Sequence, residues 1–236
     1  MKKYIGTKQI EAEPMTKGDA WGKHLLREKP STENFDDEGY HVRYEDGYES
    51  WSPKDVFEKA YKIAETPVDR MQIEAEEVNG RYVKLAAFID SGKMDEVVND
   101  MYNKCLLEMQ CYTMFDYIRL LDTRIQRMQG SDSAEVRKMN FGMAIMALKA
   151  GYQVRRSGWN GKGLWVIKQV PAHIESDIIP KMQSLPQSAK DLILKGKGFI
   201  DYTSQCLIYN ENTGLADSWV PSISDVFADD WEIVLP

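Results

Sequence analysis

The chain has 236 residues, 43% of them hydrophobic and 28% charged, with a formal net charge of −7. It has no run of about 18 apolar residues to cross a membrane, no apolar stretch behind its opening lysines to serve as a signal peptide, and too much acid for a general nucleic-acid binder. The odd set Cys105, Cys111 and Cys206 lacks metal-type spacing and fits reduced thiols in a cytosolic compartment.

Residues 1–64 read as a small α+β unit. Tyr4 and Ile5 with Ile10 and Ala12 predict an opening strand that Pro14 ends, and Trp21 is the one large anchor in the polar stretch that follows. Tyr40, Val42 and Tyr44 alternate before an Asp46-Gly47 hairpin turn. Ser52 as N-cap, Pro53 in the first turn and Asp55 predict a helix from Pro53 to about Ala64, with Val56, Phe57, Ala60 and Tyr61 as its apolar face. This opening resembles the small accessory domains of tailed-phage proteins, which assigns it no chemistry.

Residues 65–130 predict an antiparallel helical hairpin. Met71, Ala75, Val78, Tyr82, Leu85 and Ile89 step by heptad spacing until Ser91-Gly92. Leu107, Cys111, Met114, Ile118, Leu121, Ile125 and Met128 repeat the pattern on a second helix, with a break expected between Asn99 and Asn103. A lone hairpin buries little, so it must pair with copies of itself, the favoured expectation, or dock on a neighbour. Met101, Met109, Met114 and Met128 read as flexible core filling. With its stretch LLEMQCYTMFDYIRLLDTRI, this part resembles small helical-hairpin proteins of gut phages.

Gly130 to Ser133 reads as a polar linker. Residues 138–236 then predict an antiparallel β domain with a leading helix capped by Asn140 and closed by Gly151. Expected strands are Tyr152–Arg155, Leu164–Val170 closed by Pro171, a long one over Phe199–Tyr209, one beginning at Asp217, and Trp231–Leu235. Ala172–Gly198 reads as an insertion with a helix at Gln187–Lys195, and Ser222 as the cap of a short helix reaching Phe227. The fold class is thus α+β and multidomain, in three parts: 1–64, 65–130 and 138–236.

The chemistry is concentrated in Arg155-Arg156-Ser157-Gly158-Trp159-Asn160-Gly161-Lys162-Gly163. Glycines allow close backbone approach, free amides in such a turn cradle anions, and an indole face stacks on a base. The spacing excludes a P-loop and a Rossmann fingerprint. The histidines, His24, His41 and His173, have no metal-type pairing, and no nucleophile motif is present. Asp225, Asp229 and Asp230 read as a cap and the rim of a short helix rather than catalytic carboxylates. Binding without turnover is the expectation, with no catalytic residue, metal or cofactor.

The string MNFGMAIMALKAGYQVRRSGWNGKGLWV and the closing DSWVPSISDVFADDWEIV resemble the phage Thoeris anti-defence proteins of the second type. Four motifs appear in the family's order: the N-F-x-x-A helix, the R-x-G-W-N-G-K-G turn, the W-x-P-S-x-x-D segment and the D-W-x-I/V strand. The resemblance implies a homotetramer in the cytoplasm of an infected bacterial host. It implies a sponge for glycocyclic ADP-ribose made by TIR proteins, with cyclic dinucleotides as a second ligand class. A phage assembly or adaptor protein acting through the helical hairpin is the remaining alternative.

For such a ligand, Trp159 and Trp219 would offer faces to the base, and Asn160 would bond sugar hydroxyls or base edges. The amides of Gly161 and Gly163, with Lys162 and Arg156, would meet the pyrophosphate. Ser222 and Asp225 would meet ribose hydroxyls. Trp165 and Trp231 are expected in the core.

Overall fold

A three-stranded antiparallel meander organises the first part of the chain in the computed structural model, which describes residues 9–235. Tyr4 and Ile5, expected in the opening strand, lie outside those residues. By its contacts the chain divides into two units, Met1–Glu77 and Val78–Pro236, and the division falls within one helix.

In the first unit β1 (Ile10–Thr16) leads into α1 (Lys17–Gly22), capped by the Thr16 hydroxyl. β2 (Glu38–Tyr44) and β3 (Glu49–Pro53) follow, then α2 (Lys54–Ala60). Pro14 does not end the strand. It pairs with Tyr40 in the interior of β1, because an edge strand tolerates a residue without an amide hydrogen. The predicted alternation holds, with Val42 buried and Tyr40 and Tyr44 half-buried. The turn closes through Gly47, whose amide donates to the Tyr44 carbonyl at φ +81°.

Ser52 is not the cap of α2. It stays in the ladder opposite Tyr40, and Pro53 takes the capping position without a side-chain bond. The helix stops at Ala60 because Tyr61 is extended. Phe57 stacks on Tyr40 with ring centroids 4.2 Å apart and touches Tyr61 at 5.0 Å. That stack turns Val56 outward, 54% exposed, so the apolar face is narrower than the four residues expected.

The hairpin follows as α3 (Pro67–Asp90), a short α4 (Met94–Val97) and α5 (Met101–Met128). The break falls where expected: Val98 is extended and Asp100 caps α5 through the amides of Tyr102 and Asn103. Within the second unit, contacts between α3 and α5 run in opposite chain directions, Asp90 near Cys111 and Tyr82 against Phe115 at 5.7 Å. Burial pushes the Cys111 thiol above its ordinary range, with the Asp90 charge adding to the shift. The methionines depart from expectation: Met101, Met109 and Met128 are 76%, 59% and 53% exposed and fill no core.

The remainder is α6 (Phe141–Lys149), β4 (Gln153–Arg156), β5 (Leu164–Lys168), β6 (Ala172–Ile174), α7 (Gln187–Lys195), β7 (Ile200–Tyr202), β8 (Cys206–Asn210), β9 (Leu215–Ser218), α8 (Ile223–Val226) and β10 (Trp231–Val234). Five of these strands form an antiparallel sheet ordered β10-β4-β5-β8-β9. The long strand expected over Phe199–Tyr209 is two. β7 pairs with β6 in a separate ribbon, while β8 joins the main sheet. The polar Thr203-Ser204-Gln205 lies between them, outside both strands, and each half finds a different partner.

The core of this domain joins Met139, Met143, Ala144, Leu148, Val154, Val166, Ala228 and Trp231, with Leu120 of α5 packed against it. The later half of α5 is also tied to the segment that leads into α6. Asp116 accepts from the Asn140 amide at 2.6 Å, and Arg119 donates to the Lys138 carbonyl at 3.0 Å. Arg127 donates to the carbonyls of Asp132 and Ala134, both at 2.8 Å. The expected linker is therefore held down on α5, and this half of the hairpin docks on its own chain.

Candidate functional site

The glycine-rich stretch is the loop between β4 and β5, and its base is set by which polar groups the neighbouring strand and helix supply. β4 pairs with β10, with Arg156 opposite Trp231. This register carries Arg156 to Asp230, whose carboxylate accepts from its Nε at 2.7 Å. The same carboxylate accepts from the Gly158 amide at 2.8 Å. A Cβ at Gly158 would come within 2.5 Å of that Asp230 oxygen, so a larger residue would push the carboxylate off its bonds.

Asp225 completes the base. Ser222 caps α8 in a reciprocal capping box with Asp225. The remaining Asp225 oxygen accepts from Arg156 at 2.9 Å and from the Trp159 indole N–H at 3.0 Å. Burial pushes the Asp225 carboxyl up, but hydrogen bonds from Ser222, Arg156 and Trp159 outweigh it and hold the pKa at about 2. Burial likewise raises Asp230, and Arg156 with the Gly158 amide brings it below the usual range. Arg156 is raised in turn, first by its bond to Asp230 and then by Asp225. Both carboxylates are ionised near neutral pH and engaged with their neighbours, which leaves neither free to act as a base.

Three indoles meet above this network. Trp159 lies edge-on to Trp231 at 5.5 Å and to Trp219 at 6.4 Å, and Trp219 is edge-on to Trp231 at 6.1 Å. Trp231 is fully buried, its N–H donating to the Asp225 carbonyl. Trp159 and Trp219 are half-buried. Trp159 and Trp219 therefore keep part of their surface toward solvent while the rest packs on the core. Trp165 stands apart, against Tyr209 at 4.9 Å.

Beyond Trp159 the loop changes character. Asn160, Gly161 and Lys162 are exposed, and among the described residues their amides meet no backbone acceptor. The loop is fastened at its far end, where the Asn212 amide donates to the Lys162 carbonyl at 2.6 Å. Gly163, at φ +77°, has Asn212 and Glu211 against the position of a Cβ. A positive φ with that crowding admits glycine alone without strain.

The expected site residues thus fall into two sets. Arg156, Trp159, Trp219, Ser222 and Asp225 converge from stretches distant in sequence. Three of them are engaged within the fold: Arg156 and Ser222 both bond the Asp225 carboxylate. Asn160, Gly161, Lys162 and Gly163 form the outer loop. Asp230, expected at the rim of a short helix, anchors both Arg156 and Gly158. Its only signal in the sequence was its place beside Trp231.

Residues 139–234 match the family model of the Thoeris anti-defense 2-like domain. Residues 65–127 match that of Sequestin. Thoeris anti-defense 2 of Bacillus phage SP01 is similar at 34% identity over 102 residues, covering 41% of this chain and 96% of that protein.

Proposed function

The chain belongs to the Thoeris anti-defense 2 family and is a phage anti-defence protein of that type, and from that premise we propose that it acts by sequestration. The C-terminal domain binds TIR-generated glycocyclic ADP-ribose and holds it without cleaving it. The observation that carries this reading is the bond from Trp159 to Asp225. It joins the two motifs singled out in the sequence and places two half-buried indoles side by side.

The outer loop then supplies what a pyrophosphate needs. The Lys162 ammonium gives charge, and the amides from Asn160 to Lys162 give donors that spend nothing on the fold. The base stacks on the open surfaces of Trp159 and Trp219. Arg156, Ser222 and Asp225 serve by holding the loop in place. To titrate a scarce signal the dissociation constant must be nanomolar, about −12 kcal/mol, which calls for an enclosed site. Val220, Ile223 and Phe227 beside Trp219 are 83%, 80% and 81% exposed. Apolar side chains left this open suit burial against further copies, and a homotetramer would close the site.

The test is direct. Purified protein is mixed with the nucleotide, free ligand is removed, and the protein is heated. Intact nucleotide is the expected release. A degraded product would make the protein an enzyme, and displacement by cyclic dinucleotides but not by the ADP-ribose isomer would reassign the ligand.

A further inference from the structure

α5 carries an apolar seam and, on its opposite face, a second stripe of which the chain covers only part. The first seam, Leu107 to Ile125, faces inward and is buried or half-buried. On the opposite face Tyr102, Cys105, Met109, Tyr112, Asp116, Arg119 and Thr123 step by 3,4,3,4,3,4, which is again heptad spacing. The later half of this face is polar, and the chain's own Lys138 and Asn140 cover it. The earlier half is apolar and bare. Tyr102, Met109 and Tyr112 are 70%, 59% and 74% exposed, and Met101 and Leu106 flank them at 76% and 41%.

We propose that this bare half-seam is a contact between two copies of the chain, packed antiparallel about a two-fold axis level with Leu107. The stripe is self-complementary. An axis there sets Tyr102 against Tyr112 of the partner subunit and Cys105 against Met109 of the partner subunit, the reciprocal pairing an isologous contact demands. Charge points the same way. Residues 65–137 are rich in Asp and Glu, so two copies repel wherever their charges meet. The stripe itself carries no charge: Glu108 lies on its flank, and Lys104 is bound to Asp95 at 2.6 Å. Five side chains of this size at these exposures present on the order of 600 Å², at the upper limit for a patch on a monomer and close to the ~800 Å² per partner of a stable complex.

This contact is independent of the nucleotide reading, and its test is too. The full-length Met109→Cys variant is oxidised and its mass read without reductant. The expected result is a covalent dimer that disappears when Cys105→Ser is added. Position 109 meets Cys105 of the partner subunit across the two-fold axis, whereas on its own helix it stands one turn from Cys105 with Cβ atoms about 5–6 Å apart, beyond the ~3.5–4.5 Å that a disulfide spans. The dimer should persist in an Ile223→Glu variant, which alters the exposed patch beside Trp219 and leaves the hairpin intact. An oxidised Met109→Cys protein that stays monomeric overturns the proposal and leaves the stripe to an unlike partner. So does a dimer that forms without Cys105.

Discussion

The loop between β4 and β5 is two kinds of structure within a few residues. At its base, Arg156, Gly158 and Trp159 donate to Asp225 and Asp230, both held ionised. At its tip, Asn160, Gly161 and Lys162 are exposed, with amides that meet no backbone acceptor among the described residues. The base is what a protein builds when it needs a loop to stay where it is. The tip is what it leaves when donors are reserved for something else. Composition does not separate the two, since each holds a cation, a glycine and a polar or aromatic side chain.

Asp225→Ala breaks the base most severely. It removes one of the two carboxylates that hold Arg156, the acceptor of the Trp159 N–H and the capping box of α8 together, and the Asp225 side chain is only 10% exposed. Breaking such a buried pair costs about 3–5 kcal/mol. Thermal or denaturant unfolding followed by tryptophan fluorescence should show that loss. A change below about 1 kcal/mol would mean that the base does not brace the loop.

Acid should undo the same brace more gently. A carboxyl with a depressed folded pKa stabilises fully above its unfolded value and loses that contribution as pH falls through the folded value. For Asp225 the window runs from the ordinary aspartate value of 3.8 down to about 2. Stability of the C-terminal domain should be flat toward neutral pH and fall by about 2 kcal/mol across that window from this group, with Asp230 adding in the same direction. Denaturant midpoints measured from pH 6 to pH 2 check it. An equally steep loss in Asp225→Asn would assign the acid sensitivity elsewhere.

Lys162→Ala sharpens the contrast from the other side. The side chain is exposed at the tip, so stability should move by less than about 0.5 kcal/mol. Affinity for the nucleotide should fall about 10- to 100-fold, the worth of a charge-assisted hydrogen bond. Calorimetric titration beside a melting curve measures both. Unchanged affinity would remove Lys162 from the ligand, and a large loss of stability would show that the tip braces the fold as well.

Local chemistry made much of this fold readable along the chain. The Ser222 cap, the left-handed turn at Gly47, the helix at Gln187–Lys195 and the heptad seam of α5 each depend on residues a few positions apart. Ser52 and Pro14 misled for the same reason. Each carries a local preference, for capping and for ending a strand, that the sheet around it overrode. The split of Phe199–Tyr209 falls at the polar Thr203-Ser204-Gln205, and which sheet each half joins is decided by its partners.

The site divides along the same line. Sequence alone determined which residues were chemically notable and that the tail holds several strands behind a leading helix, since periodicity, capping and turn chemistry act over short separations; that the strands make an antiparallel domain was what the family resemblance implied. Only the tertiary structure decided that Arg156, Ser222 and Asp225 would satisfy one another, that Asp230 would join them, and that half of α5 would be covered by its own chain. Hydrogen bonds and ion pairs are made with whatever group arrives at bonding distance. For Arg156 that group comes from more than seventy positions along the chain, brought there by the pairing of β4 with β10.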